Sequence, residues 1–321
     1  MDLSILYRGP LSSCNYGCEY CPFAKRRETQ EELTADARAL DRFVDWVGRQ
    51  GDAGHTIGVL FTPWGEALVR RSYQEAMVRL TNFAHVRRAA IQTNISCKLD
   101  WVERCDRRKL GLWCTYHPGE TTRERFLAQC REMDARGVRY SVGVVGLKEH
   151  LAEVEALRAW LRPDVYLWVN AYKREEAYYS DDELTRLTNV DPLFPINNVR
   201  HPSLGLECRA GDSVFSVDGD GAIRRCHFIK PAIGNIYDAG WERALRPRRC
   251  TNGTCGCHIG YVHMPSLGLY DVFGEGVLER LPTQVPPTQP SMTASTGKHA
   301  AGLPSRRQLP VIAVQVSASG R

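Results

Sequence analysis

The sequence predicts an α/β fold in which six strand–helix units form a partial (β/α)6 barrel. Between residue 1 and about residue 172, short runs rich in Val, Ile, Tyr and Trp alternate with amphipathic stretches. This alternation is typical of a parallel sheet with right-handed crossovers. Six units are too few for an eight-fold barrel, so we expect an open one whose ligand site lies beyond the carboxyl ends of the strands.

The predicted strands are residues 3–7, 57–62, 88–95, 112–117, 139–145 and 165–171. The predicted helices between them are residues 34–49, 73–82, 98–109, 121–136 and 149–161. In the first helix Leu40, Phe43, Val44 and Val47 recur at helical spacing, which predicts one buried face. Thr121 begins a capping-box pattern, and Gly137 is a helix stop.

The rest of the chain divides by composition. We expect the barrel to occupy residues 1–180, a connector residues 181–205, and a small C-terminal region residues 206–281. Asp-Gly-Asp-Gly at 218–221 lies between two apolar runs and predicts a β-hairpin there. Residues 282–321 are rich in Pro, Ser, Thr, Gln and Gly, which predicts a disordered tail.

Charge and hydropathy narrow the class of function. The net charge is +5, but residues 282–321 hold four basic and no acidic residues, so the remainder carries only +1. A nearly neutral domain does not favour an extended nucleic-acid surface. The chain has no long apolar run and no basic region followed by an apolar stretch at its start, so we expect neither a membrane span nor a secretory signal. Twelve cysteines without such a signal indicate a cytoplasmic, metal-binding protein.

Three cysteines, Cys14, Cys18 and Cys21, follow the first predicted strand within one loop. No fourth ligand is near, since the next histidine is His55 and the next cysteine is Cys97. A structural zinc ion takes four ligands, whereas a four-iron cluster held by three thiolates keeps one iron open. The loop therefore predicts a reactive iron–sulfur centre, and zinc with a remote fourth ligand is the alternative.

This Cys-x3-Cys-x2-Cys loop, after strand one of a six-unit partial barrel, resembles the radical S-adenosylmethionine (radical SAM) superfamily over roughly residues 1–172. The resemblance implies that Cys14, Cys18 and Cys21 hold a [4Fe–4S] cluster whose open iron binds the amino and carboxylate groups of SAM. It also implies that an electron from the cluster breaks the S–C5′ bond, and that the 5′-deoxyadenosyl radical abstracts hydrogen from a substrate.

Other positions are similar to the motifs of that family. Tyr20 matches an aromatic residue beside the adenine, and Trp64-Gly65-Glu66 looks like a Gly-Gly-Glu turn with Trp64 in place of the first glycine. The end of strand three, at Asn94, is similar to the family's polar position near the ribose or carboxylate of SAM. Strand five, with Val144 and Glu149, resembles the family's adenine motif. The cofactor-binding candidates are Tyr20, Gly65, Glu66, Asn94, Val144 and Glu149.

A second cysteine group follows in the C-terminal region. Cys208 and Cys226 have the Cys-x12-Gly-x4-Cys spacing that resembles the start of the SPASM and twitch extensions of radical SAM enzymes. The resemblance implies an auxiliary [4Fe–4S] cluster, in the shorter twitch-like form because only five cysteines are present. The ligand candidates are Cys208, Cys226, Cys250, Cys255 and Cys257, and the sequence leaves open which two of the last three bind iron. A zinc knuckle assisted by His227 or His258 is the alternative.

We expect the remaining cysteines to be packed thiols. The exception is Cys97, just beyond strand three, which is a candidate catalytic hydrogen-atom donor. Together these features predict a radical SAM enzyme that oxidises or crosslinks a peptide or small metabolite, with an external flavodoxin- or ferredoxin-type electron donor. We expect no membrane partner and no nucleic acid. The alternatives are a non-catalytic iron–sulfur or zinc protein, serving in electron transfer or as a scaffold, and an RNA-modifying radical SAM enzyme.

Overall fold

The computed structural model describes residues 1–23 and 26–284. The predicted disordered tail lies outside the described residues, apart from its first three positions. No helix in the described ranges is both long and apolar enough to cross a bilayer.

The six predicted strands form one parallel sheet in sequence order. They are β1 (Asp2–Arg8), β2 (Thr56–Phe61), β3 (Val86–Thr93), β4 (Leu110–Tyr116), β5 (Arg139–Gly146) and β6 (Leu167–Ala171). Their alternation with helices confirms the predicted α/β class. Because all six strands point the same way, the polar residues that follow them gather at one edge of the sheet.

The C-terminal region extends the same sheet beyond β1. Its strands are β8 (Val214–Asp218), β9 (Ala222–Arg224) and β10 (Ala232–Asn235), and the sheet order is β10-β9-β8-β1-β2-β3-β4-β5-β6. The predicted hairpin is present as the antiparallel pair β8–β9. β8 pairs in parallel with β1, so the C-terminal region joins the sheet beside the strand that leads into the loop of Cys14, Cys18 and Cys21. A small second sheet pairs β7 (His201–Pro202) with β11 (Thr254–Cys255).

The α-helices are α1 (Gln30–Arg49), α2 (Arg71–Asn82), α3 (Arg123–Ala135), α4 (Leu151–Trp160), α5 (Asp181–Val190), α6 (Phe194–Asn197), α7 (His258–Tyr261) and α8 (Leu269–Phe273). The predicted apolar face of α1 is buried. α5 occupies much of the segment that the sequence describes only as a connector. It begins at a capping box of Ser180 and Glu183, which satisfies backbone N–H groups of the first turn.

Two helix predictions are wrong. Residues 98–109 form only a short 3-10 turn, Asp100–Arg104, because the Asp106 carboxylate accepts a hydrogen bond from the Arg108 backbone N–H and its carbonyl accepts from Lys109. Such local side-chain bonds compete with helix formation. The N-cap of α3 is Thr122 rather than Thr121, and it caps Arg125, so the predicted capping box with Glu124 does not form.

Apolar side chains pack on both faces of the sheet. On one face, which we call the helix-side core, residues of the strands meet helices α1 to α5. On the other, the interior core, Trp113 and Trp168 meet residues 259–278 of the C-terminal segment. A Cβ atom at Gly143 would lie 2.1 Å from the Trp168 ring, so only glycine lets this indole lie across the interior face. The interior is therefore filled below the strand ends and open above them.

Candidate active site

A cavity of about 320 Å3 lies at the carboxyl ends of the parallel strands. This volume is at the lower end of the range for small-molecule sites. The cavity brings together residues that the sequence places far apart. Of the predicted site residues it is lined by Cys14, Cys18, Cys21, Gly65, Glu66, Asn94 and Cys257.

The cysteine loop is held against the turn that follows β2. The Ser13 carbonyl, directly before Cys14, accepts a 3.1 Å hydrogen bond from the Glu66 backbone N–H. At Gly65 a Cβ atom would lie only 1.7 Å from the same oxygen. Glycine is thus required for the two loops to touch, which gives a physical reason for the glycine of the Trp64-Gly65-Glu66 turn.

Glu66 is 2% exposed and joins the ends of β2 and β3. Its carboxylate accepts hydrogen bonds from the Thr93 hydroxyl at 2.8 Å, from the Leu68 N–H at 3.0 Å, and from the Asn94 N–H. Burial raises its pKa to about 7 even though these donors oppose the shift. The arrangement fixes the carboxylate at the wall of the cavity.

Asn94 connects the end of β3 to the cysteine loop. Its Nδ2 donates to Asn15 Oδ1 at 3.1 Å and lies 3.9 Å from Cys14 Sγ. Its Oδ1 accepts from the Ser96 hydroxyl at 2.6 Å. Both ends of the amide are therefore committed, and its orientation toward Cys14 is set by the neighbouring side chains.

His117, directly after β4, contacts the other side of the loop. Its Nδ1 lies 2.7 Å from the Tyr20 hydroxyl and 3.4 Å from Cys18 Sγ. Burial lowers the pKa of His117 to about 4, so the ring is neutral near pH 7. Tyr16, rather than the predicted Tyr20, is the tyrosine of this loop that lines the cavity.

The donor set of the loop fits a thiolate-bound cluster. Burial raises the pKa of Cys14 and raises that of Cys18 to about 11, and the charge of Cys21 contributes to both shifts. Such thiols ionise readily only when a metal compensates the charge. No group of three His, Cys, Asp or Glu side chains in the described ranges is arranged around a single metal ion. A four-iron cube is larger than one ion, and its ligands stand further apart.

The C-terminal cysteines lie near one another. Cys208, Cys226 and Cys250 pack around a small apolar cluster. Burial, and then the charges of Cys226, Cys257 and Cys208, raise the pKa of Cys255. Cys257 also lines the cavity, which the other four do not. Burial raises the pKa of Cys257, and the cations Lys173, Arg8 and Arg280 oppose that shift.

Besides Tyr20 and four of the C-terminal cysteines, three more predicted site residues lie outside the cavity wall. The Val144 side chain is in the helix-side core, so a contact with a ligand would have to come from its backbone, and it is Val145 that lines the cavity. Glu149 is exposed in a 3-10 turn after β5. Cys97 is buried in the helix-side core, and burial raises the pKa of its thiol to about 12.

The sequence analysis misses several residues that line the cavity. They include Arg8, Trp113, Thr115, Trp168 and Arg280. His258, which the sequence offers only as a possible zinc ligand, also lines the cavity. The period-two alternation of Trp113, Thr115 and His117 on β4 is a signal that would have placed all three on one face. Nothing local marks Arg280, which lies in a short segment of irregular structure.

Comparison with known proteins shows the fold. No family model and no curated protein matches the sequence. A solved structure described as tagged anSMEcpe with bound AdoMet is 15% identical and has a TM-score of 0.52, over 82% of this chain and 81% of that one. Another, native anSMEcpe with bound AdoMet and Cp18Cys peptide, is 16% identical with a TM-score of 0.50, over 76% and 80% of the two chains. The chain therefore shares the fold of these two solved structures.

Proposed function

We propose that this protein is a radical SAM enzyme that modifies a peptide or a small metabolite oxidatively, by dehydrogenation or crosslinking. One observation carries the proposal. A single cavity at the strand ends joins Cys14, Cys18 and Cys21 to the Gly65–Glu66 turn and to Asn94. These are the groups that the radical SAM motifs require, and they come from three different strand ends.

Cys14, Cys18 and Cys21 would hold the SAM-binding [4Fe–4S] cluster. When bound, the cluster and SAM supply one electron and a 5′-deoxyadenosyl radical that takes a hydrogen atom from the substrate. The protein's part is to bind and orient. Glu66, fixed by its three hydrogen bonds, presents a carboxylate for the SAM ammonium group, and Asn94 holds the loop from the β3 side.

The walls below the strand ends suit a reactive radical. Trp113, Trp168 and Val145 give an apolar surface that excludes water from the reacting atoms. At the mouth, the exposed Trp64 stacks on Phe23 with ring centroids 5.7 Å apart. Trp64 is the residue that stands in place of the first glycine of the family's turn, and Phe23 follows Cys21 in the cysteine loop, so the pair joins the turn to the loop.

Cys208, Cys226, Cys250 and Cys255 are the proposed ligands of one auxiliary [4Fe–4S] cluster. Four thiolates would complete its coordination, so its role would be to pass electrons, as a net oxidation requires. An external flavodoxin- or ferredoxin-type protein would exchange those electrons. Cys257 is then not a ligand of the auxiliary cluster, and it lines the cavity in which the substrate would bind.

The test is SAM cleavage by the full chain, reconstituted anaerobically with iron and sulfide. With dithionite and SAM the wild type should form 5′-deoxyadenosine, and the triple Cys14/Cys18/Cys21→Ala variant should form none. Cys105→Ala is the matched control, because this buried thiol lies in the helix-side core away from the cavity. Absence of 5′-deoxyadenosine from protein that carries both clusters would contradict the proposal.

A further inference from the structure

Arg280 is a buried cation without an anionic partner. Its side chain is 2% exposed, yet within the described part of the chain no carboxylate lies within 4 Å of it, and its Nε has no hydrogen-bond partner. The adjacent Glu279 pairs instead with Arg88 at 3.1 Å and with Arg139 at 3.3 Å. A buried and unpaired guanidinium costs stability, so its presence calls for a compensating ligand.

The surroundings of Arg280 hold it in place for such a ligand. Its guanidinium carbon lies 4.4 Å from the ring centroid of Trp168 and 5.6 Å from that of Trp113. Stacking on an indole leaves the N–H groups at the edge of the guanidinium plane available to an acceptor. The backbone φ of 53° lies in the left-handed region, which is uncommon for arginine and is found at sites that the surrounding structure imposes.

Other groups at the cavity are also positive or unsatisfied. Arg8 lines the same cavity, and its Nε donates to the Thr62 carbonyl at 2.8 Å rather than to a carboxylate. Lys173, close to Arg280, donates to the Asn197 carbonyl. His258 also lines the cavity, is 4% exposed, and has no hydrogen-bond partner at Nε2.

The nearby acids are already engaged. Glu66, a carboxylate in the cavity wall, accepts hydrogen bonds from Thr93 and Asn94 at the end of β3 and from the Leu68 N–H after β2. Asp191, whose charge interacts with Arg280, accepts from the Tyr166 hydroxyl at 2.8 Å and from the Val169 N–H at 2.9 Å, and it does not line the cavity. No carboxylate that lines the cavity in the described residues is therefore left to pair with Arg280, and the group there that interacts with Arg8, Lys173 and Arg280 is the thiol of Cys257.

The position of Arg280 separates it from the cysteine loop. His117 contacts Cys18 at the strand end, whereas Trp113, against which Arg280 stacks, lies four residues earlier on β4. At 3.3 Å per residue the backbone positions of Trp113 and His117 are roughly 13 Å apart along the strand. Arg280 thus stacks on a ring at the buried end of the cavity, whereas the cysteine loop lies at the strand ends.

We propose that Arg280, with His258, forms an oxyanion site for the substrate, which therefore carries a carboxylate or a phosphate group. The proposal rests on the proposed function, since it assigns the deep part of that cavity to the substrate. A substrate anchored there through its anionic group presents its other end to the cysteine loop.

The test titrates sodium acetate and inorganic phosphate separately into the reconstituted full chain, with sodium chloride at equal ionic strength as the reference. Tryptophan fluorescence reports binding, because Trp113 and Trp168 contact the guanidinium. We expect saturable binding of at least one of the two anions, and the preferred one identifies the substrate group as carboxylate or phosphate. Arg280→Met should weaken that binding at least tenfold. Arg104→Met, which removes an exposed arginine paired with Glu75, should leave it unchanged.

Two further measurements keep the outcomes distinct. SAM affinity and substrate-free 5′-deoxyadenosine formation should be the same in Arg280→Met and wild type. If neither the wild type nor Arg280→Met cleaves SAM, the proposed function is refuted, but the anion titration can still be interpreted. Absence of saturable anion binding, equal binding by Arg280→Met, or a matching loss of SAM affinity would each overturn the anion site.

The stability of the variant separates this role from a structural one. Removal of an unpaired buried charge should leave the Tm of Arg280→Met no lower than that of the wild type. If Arg280→Met melts at a lower temperature, Arg280→Lys decides, because it keeps the charge but not the planar guanidinium. The proposal holds if Arg280→Lys folds normally and binds the anion with reduced affinity, and it fails otherwise.

Discussion

Gly65→Ala tests whether close contact between two loops positions the cysteines. The added Cβ would lie 1.7 Å from the Ser13 carbonyl oxygen, whereas real Cβ atoms keep about 3.0 Å from such neighbours. The loop before Cys14 must therefore move by the difference, about 1.3 Å. The movement breaks the Glu66 N–H to Ser13 hydrogen bond, which is worth about 1 kcal/mol, and overpacking adds roughly 1–3 kcal/mol.

The effect on activity should exceed the effect on folding. A displacement of about 1 Å at a reacting group costs on the order of a hundredfold in rate. We expect Gly65→Ala to form 5′-deoxyadenosine about a hundredfold more slowly than the wild type, with weaker retention of the first cluster. Gly253→Ala is the matched control, because a Cβ there meets nothing within 4 Å. Wild-type iron content and rate in Gly65→Ala would refute this reasoning.

Three further predictions follow from burial and charge. Cys257→Ala should retain about eight irons per chain, whereas Cys250→Ala should lose about four, as measured by iron and sulfide analysis; equal losses would contradict the proposed ligand set. Burial raises the pKa of Asp36 to about 6, so between about pH 4 and pH 6 the folded state binds more protons than the unfolded state, and stability falls as the pH rises. Relative to that of Asp36→Asn, the free energy of unfolding of the wild type in urea should therefore fall by about 2–3 kcal/mol across that range. Parallel pH profiles for the two proteins would disprove this expectation. Glu279→Gln should destabilise the protein by about 3–5 kcal/mol in urea unfolding, because it leaves the buried Arg88 unpaired; a loss below about 1 kcal/mol would show that this pair does not stabilise the fold.

Much of the fold could be predicted because its signals are local. All six parallel strands and the β8–β9 hairpin appear where apolar runs and the Asp-Gly-Asp-Gly turn place them. The helix predicted over residues 98–109 is wrong because a single carboxylate, Asp106, bonds to the local backbone instead. The helical spacing of apolar residues does not reveal this competition between side-chain and backbone hydrogen bonds.

The candidate site divides along the same line. The sequence alone determined the loop of Cys14, Cys18 and Cys21, since ligand spacing within one loop is a local property. Only the tertiary structure decided that Gly65 must touch Ser13, that Cys257 lines the cavity, and that Arg280 lies buried there. Each of these depends on contacts between distant segments, chiefly the pairing of β8 with β1 and the packing of the C-terminal segment on the interior face. Burial and partnership are properties of those contacts, and no local pattern of residue types encodes them.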